Sequence, residues 1–212
     1  MLLKNELQHL ISGIGKYAEA DIIQTITHHL RKCKKTSGVP KAEIYNIKEQ
    51  EAESLIEFAN KNNLYFTTLP SSDYLTEGAE QKVYLLKDGQ YVIKTNDSIF
   101  YENWTDYFHS LLLHNFFFPA TKYKLLGFYI HDKVLYSIVK QPFVKVTEPT
   151  NIDEVKRVML SNGFQLKKNN DYYHSDLGLI IEDLHDENVI TNHGVLFFID
   201  TVFYIKKSQI EH

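Results

Sequence analysis

Hydrophobic positions change their period along the chain, and the changes divide it into three stretches. Residues 1–15 are mixed, with Gly13 and Gly15 punctuating them, and the period over most of 16–60 is helical. Ile22, Ile26 and Leu30 recur every four residues with Ile23 widening the stripe, which predicts a helix over residues 16–35. Arg31, Lys32, Lys34 and Lys35 crowd its last turn, where cations complement the helix dipole, and Thr36-Ser37-Gly38-Val39-Pro40 ends it. An extended piece at 43–47 precedes a second helix over 48–60, with Ala52, Leu55, Ile56 and Ala59 on one face. Lys61-Asn62-Asn63 breaks that helix, and Leu64-Tyr65-Phe66 is extended. Residues 1–70 thus read as a helical extension that packs on the domain C-terminal to it, with no catalytic constellation of its own.

From residue 71 the period drops to two. Val83-Tyr84-Leu85-Leu86 and Tyr91-Val92-Ile93-Lys94 are β-prone, and Lys87-Asp88-Gly89-Gln90 between them carries the Asp-Gly hairpin signal. Helical spacing returns over 98–115 through Trp104, Phe108, Leu111 and Leu112, ending before Pro119. Strands at 123–129 and 134–139 turn at His131-Asp132-Lys133, and Gln141-Pro142-Phe143-Val144 leads out of them. The last stretch opens with a short helix (Ile152, Val155, Val158, Met159) closed by Asn162-Gly163. A hairpin of 164–168 with 172–174 then turns at Asn169-Asn170-Asp171. Strands and helices in this order predict an α+β chain, divided as 1–70, 71–145 and 146–212.

Composition excludes several classes. The 212 residues suffice for one domain with an extension. A net charge of −4 lacks the basic footprint of a nucleic-acid or anionic-membrane binder. Arg31 and Arg157 are the only arginines, too few for a guanidinium-forked phosphate module. A single cysteine, Cys33, allows no disulfide framework and suits a reducing compartment. Residues 1–14 lack the apolar core of a signal peptide, and no run approaches a membrane span, so the expected location is cytoplasmic.

Candidate chemistry sits at the end of the chain. Ile180-Ile181-Glu182 runs into Asp183; Asn188 lies five residues on, and Asp200 twelve further, closing the apolar run Val195-Leu196-Phe197-Phe198-Ile199. Two strands side by side would bring Asp183, Asn188 and Asp200 to one sheet edge. One carboxylate could orient a nucleophile while an amide and a second carboxylate hold Mg²⁺, an ion that prefers oxygen ligands. The same spacing also suits a polar hairpin loop between two buried strands.

Asp183-Leu184-His185-Asp186-Glu187-Asn188 resembles the Asp-Leu-His-x-x-Asn catalytic loop of the small-molecule-phosphotransferase branch of the protein-kinase-like superfamily, and Ile199-Asp200 falls where that superfamily keeps its metal Asp. Tyr91-Val92-Ile93-Lys94 resembles its Val-Ala-Ile-Lys strand. His114-Asn115-Phe116-Phe117-Phe118-Pro119-Ala120-Thr121-Lys122-Tyr123, with Leu126-Gly127-Phe128, and Val139-Lys140-Gln141-Pro142-Phe143 are similar to the kinase-like domain of polyvalent proteins, large multidomain proteins of phages and bacterial conjugative elements.

The resemblance implies a minimal two-lobed protein-kinase-like fold over about residues 71–205, using ATP and Mg²⁺ as cofactors. Asp183 would accept the proton of an acceptor hydroxyl on a protein or small molecule. Asn188 and Asp200 would hold Mg²⁺, and Lys94 the nucleotide phosphates, under a loop that keeps only Gly78. Glu102 would pair with Lys94, Asp106 being the other candidate, and the extended Gln141 to Phe143 would hold adenine. His185 would support the loop through a hydrogen bond, or serve as the base itself. An inactive nucleotide-binding or protein-interaction module on the same fold is the other reading. Glu182 stands where eukaryotic kinases carry an Arg that reads a phosphorylated loop, no Phe-Gly follows Asp200, and a hairpin replaces the long helix before the catalytic loop. A reduced C-terminal lobe follows from these departures.

Overall fold

The computed structural model describes residues 2–12, 21–36, 47–70, 72–78 and 81–206. The expected helical residues 16–20, the stop signal at 37–40 and the extended residues 43–46 lie outside them. The chain forms two compact units. One comprises His9–Phe108 and Tyr123–Phe143; the other takes the residues up to Gln8, His109–Lys122 and those from Val144 on. The architecture is α+β with antiparallel sheets. Among the described residues no helix is long and apolar enough to cross a membrane.

Helix α1 is Leu2–Ser12, α2 Ile22–Thr36 and α3 Ile47–Lys61. The predicted stripe is the packed face of α2: Ile23, Ile26 and Leu30 are fully buried, as are Leu55 and Ala59 of α3. Strands β1 (Ser72–Glu77), β2 (Gln81–Leu86), β3 (Tyr91–Asn96), β4 (Lys124–His131) and β5 (Val134–Pro142) form one sheet in the order β1-β2-β3-β5-β4. The hairpin turns follow their sequence signals. Gly89 adopts φ +65° between β2 and β3, while Asp132 and Lys133, at φ 49° and 68°, make the β4–β5 turn. β1 was not expected, since residues 75–82 read as a glycine-containing loop. It is an exposed edge strand with little apolar content, so its pairing with β2 leaves no trace in the hydrophobic pattern.

Helix α4 is Trp104–Phe117, six residues shorter at its start than the period suggested. Asn96 and Asp97 explain the delay. Their side chains accept hydrogen bonds from the amides of Ser98 (2.6 Å) and Ile99 (3.0 Å), turns that compete with helix. Asn103 then caps α4. Its Oδ1 accepts from Asp106 N at 3.0 Å, and its Nδ2 donates to Asp106 Oδ2 at 2.9 Å. Trp104 and Phe108 pack edge-on against Phe128 of β4, and Tyr107 edge-on against Trp104 and Phe108, in the core of the sheet unit.

Residues 64–66 join the helices to this sheet. Phe128 N donates to Leu64 O (2.8 Å) and Phe66 N to Phe128 O (2.7 Å), so the segment lies alongside β4. Gly127 permits the approach, because a Cβ there would collide with the Leu64 carbonyl and the Phe66 ring.

The second unit holds α5 (Ile152–Ser161), capped by Asn151, and the strands β6 (Gln165–Lys168), β7 (Asp171–His174), β8 (Leu179–Glu182), β9 (Val189–Asn192), β10 (Val195–Phe198) and β11 (Val202–Ile205). The four-stranded sheet has the order β11-β8-β7-β6, and β9 pairs with β10 separately. Phe117, Phe118, Phe164, Phe198 and Phe203 make its aromatic core, with Phe118 stacked on Phe198 at 4.1 Å. Gly127→Ala should cost about 3 kcal/mol of stability, read as a lowered denaturant midpoint, whereas the same change at Gly78, whose added Cβ would meet nothing, should leave the midpoint unmoved.

Candidate functional site

Asp183, His185, Asn188 and Asp200 all belong to the second unit. The strands that bring them together are not the pair the spacing suggested. β8, which ends before Asp183, and β10, which ends before Asp200, lie in different sheets. β8 pairs instead with β11, the strand that follows Asp200, in the register Glu182↔Val202. Period and spacing do not reveal this, because β11 is a four-residue strand beyond the last motif.

Asn188 closes the loop. Its Nδ2 donates to Asp183 Oδ2 and to the Asp183 carbonyl, both at 2.9 Å. Its own carbonyl accepts from Ile199 N (2.9 Å) and Asp200 N (3.2 Å). One residue therefore ties the first carboxylate to the backbone of the second. Asn188 Nδ2 also lies 3.2 Å from His185 Nε2, so the amide nitrogen faces the Asp183–His185 pair. An amide oxygen and a carboxylate are the donor types Mg²⁺ takes, so Asn188 and Asp200 fit that ion.

His185 is oriented from both sides. Its Nδ1 accepts from Glu187 N at 3.2 Å, so the neutral ring carries its proton on Nε2, which lies 3.2 Å from Asp183 Oδ1. In this tautomer His185 donates to Asp183 and has no lone pair directed at it. Asp183 itself has φ 67°, a left-handed conformation that Asp tolerates better than most residues. Its amide donates to Asp171 Oδ1 (3.2 Å), and Leu184 N to the Asn170 carbonyl (3.3 Å). The β6–β7 turn thus holds the loop in place.

The segment around Asp200 is fixed by a buried network that sequence reasoning missed. Fully buried His114 on α4 lies 3.0 Å through Nε2 from the Thr121 carbonyl and 2.7 Å through Nδ1 from Thr201 Oγ1. A carbonyl can only accept, so Nε2 carries the proton and Thr201 donates to Nδ1. Thr121 Oγ1 donates in turn to the Phe198 carbonyl at 2.5 Å. Residues 114 and 201 are too far apart in sequence for any local pattern to link them.

The remaining predicted residues lie in the sheet unit. Lys94 is no surface lysine at a strand end: it sits in β3 between Val83 and Val139 and is 4% exposed. Its Nζ lies 3.4 Å from Tyr123 Oη and 5.4 Å from that ring's centroid, a cation–π placement. Gly78 is exposed at the end of β1, its N–H donating to the Gln81 carbonyl at 2.9 Å. Glu102 is exposed in the bend before α4, not on the helix as expected, and Asp106 is engaged in the cap. Gln141 is buried at the end of β5, and the amide of Phe143 donates to Gln90 O at 2.8 Å.

A cavity of about 310 Å³ in the second unit, lined by Phe117, Phe118, Met159, Phe164 and Phe198 among others, contains none of the predicted site residues.

These residue types are those of a kinase-like domain. The chain belongs to the family of serine/threonine/tyrosine kinases found in polyvalent proteins, whose sequence model matches residues 48–207. No curated protein and no solved structure gives a significant match. The match begins within α3, so that helix is part of the family domain.

Glu182 carries the clearest electrostatic perturbation near the loop. Burial raises its pKa above the ordinary carboxylate value, the Asp171 and Asp183 carboxylates push it further up, and Lys167 opposes them. A carboxyl with a raised folded-state pKa binds its proton more tightly in the folded chain. Its stabilising contribution is therefore present at low pH and is lost as pH rises through the folded pKa. Glu182→Gln should accordingly melt at a higher temperature than wild type at pH 7. The gap should close as pH falls below about 4, the ordinary glutamate range; melting curves across that range read it directly.

Proposed function

We propose that the chain is an ATP- and Mg²⁺-dependent phosphotransferase with a minimal two-lobed kinase-like fold, acting in the cytoplasm of bacteria as part of a phage or mobile-element polyvalent protein. The observation that carries the reading is the Asp183–Asn188–Asp200 connection: a carboxylate oriented by an amide whose own backbone anchors the second carboxylate.

In this reading Asp183 orients the acceptor hydroxyl of a protein or small molecule and takes its proton as the oxygen attacks the terminal phosphorus. His185 holds the Asp183 carboxylate through Nε2–H and does not act as the base. Asn188 Oδ1 and the Asp200 carboxylate would hold Mg²⁺, which when bound offsets phosphate charge. In the sheet unit Lys94 serves the α- and β-phosphates, Glu102 is the acid that orients it, and residues 141–143 offer backbone to adenine. Transfer then depends on positioning and fixed charge, because phosphoryl transfer asks little covalent chemistry of the protein.

A specific observation favours the second reading, an inactive nucleotide-binding module. Both Asp183 oxygens have donors, Asn188 on one and His185 on the other, so an acceptor hydroxyl would have to share an oxygen that already accepts a hydrogen bond.

Calorimetry and turnover separate the two. Wild type should bind MgATP with a Kd below about 1 mM, Asp200→Ala should lose the Mg²⁺-dependent part, and Asp183→Asn should keep it. If the chain is active, Asp183→Asn should lower ATP turnover by about 10²–10⁴-fold. Binding without turnover in wild type, with protein and small-molecule hydroxyl acceptors supplied, would favour the inactive module. No binding by wild type at millimolar MgATP would overturn both.

A further inference from the structure

The segment between β3 and α4 is shaped by side-chain hydrogen bonds, and two side chains of α3, Lys48 and Glu51, supply four of them from outside the segment. Lys48 Nζ donates to the carbonyls of Ser98 (2.5 Å) and Tyr101 (3.2 Å). One turn on, the Glu51 carboxylate accepts from Thr105 N (3.1 Å) and Thr105 Oγ1 (2.6 Å) at the start of α4. Lys48 and Glu51 are three residues apart and share a helix face, so one rigid element grips both ends of 98–105. Glu51 is 4% exposed although it is a carboxylate. Burial pulls the pKa of Lys48 down, with Asp97 opposing. Charged side chains are held out of water at this cost only where they are well partnered.

The gripped segment matters for the nucleotide. Asn96, two residues after Lys94 on the same strand, accepts from Ser98 N at 2.6 Å, so the segment continues directly from the lysine's strand. Glu102 lies inside it. Ser98 has φ 58°, a left-handed conformation that a serine keeps only when its surroundings impose it.

We propose that Lys48 and Glu51 are positioning residues for the phosphate-binding end of the sheet unit: α3 clamps residues 98–105 and so sets where Glu102 and Lys94 stand toward the phosphates of a bound nucleotide. The inference rests on the proposed nucleotide site and assigns to α3 a role that the sequence pattern suggested for no residue before 71. Neither side chain touches the nucleotide.

The test measures MgATP and adenosine affinity for wild type, Lys48→Met and Glu51→Gln, well below each protein's melting temperature. Hydrogen exchange across 98–105 is followed in parallel. Adenosine probes the base and ribose alone, so the ratio of the two affinities isolates the phosphate contribution. Each variant should bind MgATP about tenfold more weakly, an effect of the size usual for coupling between groups that do not touch. Adenosine affinity should stay within about twofold, and exchange should speed up across 98–105. Unchanged MgATP affinity in both variants beside a binding wild type would overturn the inference and leave the nucleotide reading intact. An equal loss of both affinities would show a merely structural role and overturn it too. A wild type that binds neither ligand would sink the nucleotide reading, and this inference with it.

Discussion

The second unit depends on how Asn188 uses its side-chain and main-chain amides. Its side chain closes the loop that begins at Asp183, and its main-chain carbonyl takes the amides of Ile199 and Asp200. The β9–β10 hairpin is thus closed at its base between residues 188 and 199, and its body is held by hydrogen bonds to residues 145–150. The Asp183 carboxylate and the Asp200 main chain are tied to each other through Asn188. Asp183 can then hold a left-handed φ, because Asn188, His185, Asp171 and the Asn170 carbonyl over-determine its position.

Support for these positions comes from buried polar groups. A net hydrogen bond is worth about 1 kcal/mol, but an abandoned buried partner costs about 1–3 kcal/mol. His114, Thr121 and Thr201 therefore contribute little to stability and much to uniqueness. Any alternative packing of the segment around Asp200 would strand the Thr121 carbonyl or the His114 ring away from water. Glu51 against Thr105 follows the same logic in the sheet unit. Apolar contacts make the units compact, and the polar ones decide which of many compact arrangements is adopted.

The same division explains what could be read from the sequence. Amphipathic helices α2, α3 and α5, the Asp-Gly hairpin and the β4–β5 pair obey local rules of period and turn chemistry, and all were legible. So was the family, because its phrases are contiguous. The start of α4 was misjudged: helical period continues back to residue 98, but Asn96 and Asp97 draw the backbone into turns. β1 was invisible because an exposed edge strand needs no apolar alternation. The strand partner of β8 was misread because pairing is a long-range choice, and adjacent motifs suggested β10. Residues such as His114 and Glu51 cannot be found by spacing, since their meaning lies in partners 87 and 54 positions away.

The resemblance left a difficulty: a hairpin stands where a long helix would precede the catalytic loop. The structure answers it with strands. The β6–β7 turn supplies Asp171 Oδ1 and the Asn170 carbonyl to the amides of Asp183 and Leu184, the two residues that open the loop. β11 then uses the residues just after Asp200 to pair with β8, so the chain that leaves the second carboxylate returns alongside the strand that delivered the first. Fixing a loop requires that its backbone amides find acceptors and that its flanks be paired. A tight turn and one short strand meet both needs around Asp183.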